Sequence, residues 1–135
     1  FGHDITEEDH VLEAGLGFAV KTKKPNDFVG RDAVVKRKEE GLNMRMLQFM
    51  LNTPEPLLFH NEPVVRDGEI VSYLTSANYG HTMNAAIGMG YVPCKGESVY
   101  EILGSKYEIE IAGGRVECTP SLKPLYDPKS ERVKV

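Results

Sequence analysis

Residues 63–74, which read PVVRDGEIVSYL, decide how this chain folds. Two apolar stretches, 63–65 and 70–74, flank the dipeptide Asp67-Gly68. Asp-Gly in this position is typical of a type I′ turn, because both central residues of that turn need a positive φ. The stretch therefore predicts a β-hairpin.

The alternation of apolar and polar residues continues outward from this hairpin in both directions. On the N-terminal side, Leu47, Phe49 and Leu51 fall on one face of a predicted strand. On the C-terminal side, residues 107–111 read YEIEI and alternate in the same way. A period of two is the pattern of a half-buried strand, because successive side chains point to opposite faces of a sheet.

Two more glycine-containing pairs, Gly104-Ser105 and Gly113-Gly114, predict two further hairpins. Regularly spaced short strands with such turns favour a small closed barrel or a sandwich. We predict a mainly β fold, with an antiparallel barrel of six or seven strands over residues 44–120. Beyond those already named, the predicted strands are 85–91, 99–103, 106–111 and 115–118.

The first 43 residues have a different pattern. Residues 11–20 are mostly apolar and contain glycines, which predicts a strand with a bulge or a close backbone approach. Residues 33–40 predict one short helix, with Asp32 at its positive N-terminus and Gly41 as an αL C-cap. Such a β-α unit is too small to bury its own core and would be the remnant of a preceding domain. The predicted division is 1–43 for this remnant, 44–128 for the barrel and 129–135 for a tail.

The composition argues against several classes of function. The 135 residues carry a formal net charge of −4, and Lys and Arg are spread along the chain, so we expect no nucleic-acid partner. No apolar run approaches the roughly 20 residues of a membrane span, so we expect no membrane partner. Cys94 and Cys118 match no metal or redox spacing and are interpreted as free thiols of a reducing compartment.

A few polar residues are candidates for a site. Glu13 lies within the apolar run and either finds a hydrogen-bond donor or faces solvent. Lys21, Lys23 and Lys24 form a positive patch that could hold a ligand carboxylate, although lysines in a loop are usually just solvated. The acidic turn at residues 3–10 lacks metal-ligand spacing and is interpreted as a solvated loop.

Several motifs in a fixed order resemble the glycine-cleavage T-protein family. That family includes aminomethyltransferase and the C-terminal halves of dimethylglycine and sarcosine dehydrogenases. The N-terminal motifs are GHDI at 2–5, LEAGL at 12–16 and DFVGRDA at 27–33. The later motifs are PV at 63–64, TS at 75–76 and AIGMGYVP at 86–93, which resemble the family's terminal β-barrel.

The resemblance implies a role in tetrahydrofolate-dependent one-carbon transfer. Lys24 stands where T-proteins place an arginine near folate, and Tyr126 matches a family tyrosine near the C-terminus, so both are predicted cofactor contacts. The family's catalytic Asp and its pterin-binding Glu would lie upstream of Phe1. We therefore predict no catalytic and no metal-binding residue in this chain, and we expect it to be inert alone.

Within the family, two segments favour the flavin-dependent dehydrogenases. VKTKKP at 20–25 resembles their lysine-and-proline loop, and the tail from PLYDP at 124–128 resembles the end of sarcosine dehydrogenase. FAD would then be bound elsewhere in a longer parent enzyme, whose missing folate-binding and flavin domains would be this chain's partners. The alternatives are a free aminomethyltransferase and a non-catalytic docking or structural barrel. The expected location is the cytoplasm in a bacterium or the mitochondrial matrix in a eukaryote.

Overall fold

The computed structural model describes residues 1–24 and 27–134. Strands dominate it, and the helices are short. The strands are β1 (Met44–Leu51), β2 (Pro63–Arg66), β3 (Glu69–Gly80), β4 (Ala85–Pro93), β5 (Tyr107–Ile111) and β6 (Gly114–Ser121). The helices are α1 (Arg31–Glu40) and α2 (Val99–Gly104), with 3-10 turns at Gly17–Ala19 and Glu131–Val133.

The six strands form a closed antiparallel barrel in the order β1-β4-β3-β2-β5-β6. Closure comes from β6 pairing with β1, where Leu51 lies opposite Cys118. A closed barrel has no free strand edge along which another chain could pair. The predicted mainly β fold and its antiparallel barrel are confirmed.

The turns follow the predicted chemistry. Asp67 (φ 52°) and Gly68 (φ 92°) join β2 to β3, so the predicted hairpin is confirmed with both central residues at positive φ. The hairpin between β5 and β6 is also present, but its turn is formed by Ala112 (φ 49°) and Gly113 (φ 81°). Gly114 is already the first residue of β6, one position beyond its predicted role.

The predicted strand at 99–103 is wrong, because these residues form helix α2. Ser98 and Glu101 make a capping box, in which the Ser98 hydroxyl accepts the Glu101 N–H while the Glu101 carboxylate accepts the Ser98 N–H. Ile102 is buried, so one apolar face of the short helix covers the barrel core. Gly104-Ser105 consequently ends a helix and makes no hairpin.

The predicted strand at 11–20 is also wrong. The Ala14 N–H bonds to the His10 carbonyl and the Leu16 N–H to the Val11 carbonyl, both at 3.0 Å, so this stretch coils back on itself. Gly15 has a positive φ of 77°, which breaks any extended path. The predicted helix is confirmed as α1. Its C-cap Gly41 has φ 89° but ψ 170°, so it has the positive φ of the predicted cap without its αL conformation.

The core lies inside the barrel. The rings of Phe49 and Tyr107 are 5.4 Å apart at its centre. Gly88 and Gly90 face inward on β4, where a Cβ on Gly90 would lie 2.7 Å from the Tyr73 carbonyl oxygen. The largest fully buried side chains are Tyr107, Phe49, Leu47, Leu51, Leu74, Ile109, Val64, Val65 and Val92.

Both cysteines are buried, free thiols. Beyond β6, the chain bends across the barrel surface, where the Leu125 N–H donates to the Gln48 side-chain oxygen at 3.3 Å. None of the helices in the described part of the chain has the length and apolar character needed to cross a bilayer.

Candidate functional site

A groove of about 240 Å³ in the N-terminal region is lined by four lysines. Lys38 of α1 faces the lysines that the sequence singled out, so a helix and a loop supply the two sides. The four lysines are all exposed. The lining residues are Val20, Lys21, Thr22, Lys23, Lys24 and Lys38.

Local hydrogen bonds hold this groove in shape. The Arg31 guanidinium donates to the Thr22 carbonyl from Nε at 3.3 Å and from Nη2 at 3.0 Å, which ties the lysine loop to the first turn of α1. Lys21 Nζ donates to the Phe18 carbonyl at 2.9 Å. Pro25, the last residue of the VKTKKP segment, and Asn26 after it lie outside the described residues.

Charge complementarity defines what the groove could bind. Several ammonium groups around one opening attract an anion, and each exposed pair contributes about 0–1 kcal/mol. Lys24 also borders a second cavity of about 360 Å³, where Asp27 and the half-exposed Phe28 form part of the wall. The Asp27 carboxylate makes that side less favourable for an anion. The lysine groove is therefore the better place for a ligand carboxylate.

An apolar cavity of about 450 Å³ adjoins the groove, and Lys38 borders both. Arg45 also lines it and donates from Nη1 to the Leu12 carbonyl at 3.4 Å, while its buried Nε has no hydrogen-bond partner among the described residues. The sequence prediction missed this cavity because it treated 11–20 as an extended strand. The apolar lining comes from Leu12, Phe18, Val20, Val34 and Leu42.

Tyr126, the second predicted cofactor contact, lies in the C-terminal segment. Its side chain is 45% exposed, and the Arg132 guanidinium carbon lies 5.5 Å from its ring centre. Within the described residues, no hydrogen bond, ion pair or shared cavity joins Tyr126 to Lys24. Both remain predicted contacts.

Glu13 is buried and hydrogen-bonded, so the interpretation of a solvent-facing side chain is wrong. Its Oε1 accepts the backbone N–H of Asn43 at 2.8 Å and of Met44 at 3.3 Å. These bonds satisfy the carboxylate where the chain enters β1. The Asp4 carboxylate makes a similar link, accepting from the Thr75 hydroxyl at 2.7 Å. Residues 1–16 are thereby fixed to the barrel.

Comparison with known proteins places this fold in a family. The family described as the glycine cleavage T-protein C-terminal barrel domain matches residues 45–127, which include all six strands except the first residue of β1. The chain belongs to this family. The match covers the predicted barrel region and confirms the resemblance to T-proteins.

Proteins of two kinds are similar to this chain over nearly its whole length. A 4-methylaminobutanoate oxidase (formaldehyde-forming) of Paenarthrobacter nicotinovorans is 33% identical over 98% of the chain, which covers 16% of that protein. An aminomethyltransferase of Symbiobacterium thermophilum is 35% identical over 93% of the chain and 32% of its own length. One from Clostridium botulinum is 30% identical over 97% of the chain and 34% of its own length.

A solved structure confirms the fold of this T-protein barrel. The glycine cleavage system aminomethyltransferase T from Bartonella henselae superposes with a TM-score of 0.71 at 22% identity, over 87% of this chain and 32% of that one. The chain spans about a third or less of the length of these relatives.

Proposed function

We propose that this chain is the C-terminal part of a tetrahydrofolate-dependent one-carbon transfer module within a longer, flavin-dependent N-methyl amine dehydrogenase or oxidase of the dimethylglycine and sarcosine dehydrogenase type. The observation that carries the proposal is a double similarity. The same residues match a formaldehyde-forming methylamino-acid oxidase and several aminomethyltransferases, each over nearly the whole chain. A module shared by an amine oxidase and an aminomethyltransferase suits the capture of a one-carbon unit.

The residues of the lysine groove fit the acidic end of a folate. Tetrahydrofolate, when bound, supplies the amines that accept the one-carbon unit, and its glutamyl end carries carboxylates. Lys24, with Lys23 and Lys38 beside it, would bind those carboxylates and orient the ligand. A lysine acts here as a point charge and makes no bidentate pair, so its contribution is modest. Tyr126 would contact the same ligand from the C-terminal segment.

Flavin chemistry belongs to another part of the longer protein. We assign no residue of this chain to FAD, and we assign none a proton-transfer role in the reaction. In this proposal, the barrel stabilises the module, while residues 1–43 and Tyr126 carry the part of the folate site that the chain contains.

A free aminomethyltransferase is the second candidate, supported by the 35% identity to the Symbiobacterium protein. The coding length of the gene separates the two. Because this chain covers 16% of the oxidase and 32% of that aminomethyltransferase, a polypeptide about six times its length favours the oxidase type and one about three times its length favours the transferase. A non-catalytic docking or structural barrel would contribute no folate contact at either length, and any folate would be bound by the rest of the polypeptide.

Titration calorimetry of tetrahydrofolate into the full-length polypeptide tests the proposal. We expect Lys24→Ala to weaken binding a few-fold, and more at low salt, where screening is weaker. Tyr126→Ala should also weaken it, while Lys95→Ala, which removes an exposed lysine between β4 and α2, should not. Absence of binding by the unmodified polypeptide would overturn the proposed function. Equal affinities for Lys24→Ala and Lys95→Ala would remove Lys24 from the site.

A further inference from the structure

A separate cavity of about 220 Å³ lies where the N-terminal segment crosses the outer face of β3 and β4. We name it the seam cavity. Two hydrogen bonds hold the segment over it: the Thr75 hydroxyl donates to the Asp4 carboxylate at 2.7 Å, and the Tyr91 hydroxyl donates to the Asp4 carbonyl at 2.9 Å. The cavity lining consists of Asp9, Glu13, Met44, Ser72, Tyr73, Thr75 and Tyr91.

Strand β3, which provides one wall of the cavity, pairs irregularly with both of its neighbouring strands. Pairing with β2 shifts register between Val64 and Val65, and pairing with β4 shifts between Leu74 and Ser76, which leaves Thr75 without a partner residue. Such bulges redirect side chains and are common beside functional sites. Here the bulge at Thr75 directs its hydroxyl at the N-terminal segment, forming one edge of the cavity.

The seam cavity is acidic. Asp9 and Glu13 line it, Asp4 lies beside it, and none of the lining residues is a Lys, Arg or His. The pKa of the Tyr91 hydroxyl is raised to about 12. Burial is the largest cause, and the negative charges of Asp9, Asp4 and Glu13 add to it. A cation entering this space would meet carboxylates without displacing a resident positive charge.

Some of the polar groups around the cavity are not used by the fold. Glu13 is only 9% exposed, and Asn43 and Met44 bond to its Oε1, while its Oε2 has no hydrogen bond from the described residues. Asp9 binds Thr6 through Oδ2 alone. The buried hydroxyl of Ser72 likewise has no partner among them. The Glu13 side chain has little contact with water, so its free oxygen, like the unpartnered Ser72 hydroxyl, favours a ligand that donates hydrogen bonds.

We propose that the seam cavity binds a small primary or secondary alkylammonium ion. Its N–H groups would donate to Glu13 Oε2 and to the Asp9 carboxylate, and its alkyl group would pack against Met44 and the ring of Tyr73, an arrangement that also suits a cation–π contact. A metal ion fits less well, because the described residues include no cluster of three or more His, Cys, Asp or Glu side chains arranged to hold one. This site does not depend on the proposed folate function.

Methyl NMR of this chain, labelled with ¹³C at the methionine methyl groups, tests the site with dimethylammonium chloride as the probe. We expect a saturable shift of the Met44 methyl signal, with a Kd on the order of millimolar. Met83, in the turn at the opposite end of the β3–β4 hairpin, should not shift. Tetramethylammonium, which has no N–H to donate, should bind far more weakly at equal ionic strength.

Variants that remove one negative charge show whether the Glu13 and Asp9 carboxylates bind the dimethylammonium ion. Glu13→Gln keeps an acceptor for the Asn43 N–H and should weaken binding about tenfold, as should Asp9→Asn. Glu8→Gln, which removes the same charge from an exposed neighbour, should bind like the unmodified chain. If Glu13→Gln does not fold, the Asp9→Asn result decides. No saturable Met44 shift, equal binding of tetramethylammonium, or an equal loss in Glu8→Gln would each overturn the proposal.

Discussion

Glu13 Oε1 accepts the backbone N–H of Asn43 at 2.8 Å, although the two residues are 30 positions apart in the chain. The Glu13 main chain adds a second link, because its carbonyl accepts the Met46 N–H at 2.9 Å. One residue therefore satisfies donors at the start of β1 and holds the N-terminal segment against the barrel. This contact forms one wall of the seam cavity and supports the apolar cavity beside the lysine groove.

Removing the Glu13 carboxylate should destabilise the fold. Glu13→Ala leaves the Asn43 and Met44 N–H groups without their acceptor in a half-buried place, which costs about 1–3 kcal/mol. Glu13→Gln should cost less, because its amide oxygen can still accept. Urea unfolding measures both free energies, with Glu8→Ala as the matched control. Equal stabilities for Glu13→Ala and Glu8→Ala would contradict the structural role.

Gly90→Ala should also destabilise the barrel. The new methyl group would lie 2.7 Å from the Tyr73 carbonyl oxygen, and backbone on both strands must move to relieve the contact. Overpacking of this kind costs about 1–3 kcal/mol. Gly104→Ala is the control, since a Cβ there meets nothing within 4 Å at the end of α2. The free energy of unfolding should fall for the first variant alone.

The two thiols should be unreactive in the folded state. Burial raises the pKa of Cys118 to about 12 and also raises the pKa of Cys94. Because the thiolate is the nucleophile, a thiol reagent at mildly alkaline pH should label neither cysteine until the protein unfolds, and both afterwards. The neutral folded thiol stabilises the fold below the unfolded thiol pKa of about 8.5, and this contribution is lost as the pH rises towards 12. Rapid labelling of the folded chain would contradict this.

Tetrahydrofolate should bind this chain alone no better than millimolar. An exposed lysine–carboxylate pair contributes about 0–1 kcal/mol, whereas association costs at least about 4 kcal/mol in lost freedom. The pterin contacts implied by the family resemblance lie outside the chain. Calorimetry on the isolated chain should show no saturation below millimolar ligand. Micromolar affinity would place the main pocket within these residues.

The sequence predicts the barrel well because its signals are local. Asp67 and Gly68 both adopt the positive φ that the β2–β3 turn requires. The alternation of apolar and polar residues around Phe49 matches the burial of one face of β1. Helix α2 was missed although its capping box, Ser98 with Glu101, is a local signal of helix initiation. The strand was predicted there because Gly104-Ser105 was interpreted as a hairpin turn, whereas the pair ends the helix.

The candidate sites were harder to predict, because they depend on contacts distant in sequence. The lysines at 21–24 are evident in the sequence, but Lys38 lines the same groove only because α1 packs beside their loop. Nothing near Glu13 in the sequence indicates that its partners are Asn43 and Met44. The seam cavity likewise depends on the bulge in β3 at Thr75, and no turn residue in the sequence predicts that bulge.

The most direct test of the proposed function follows the carbon itself. The full-length polypeptide would oxidise an N-methyl amine labelled with ¹³C in the methyl group, with and without tetrahydrofolate, and the label would be traced in the products. We predict that the label is recovered in 5,10-methylenetetrahydrofolate when the folate is present, and that Lys24→Ala, but not Lys95→Ala, diverts part of it to free formaldehyde. Label appearing as formaldehyde at the same initial rate with and without tetrahydrofolate would contradict the account.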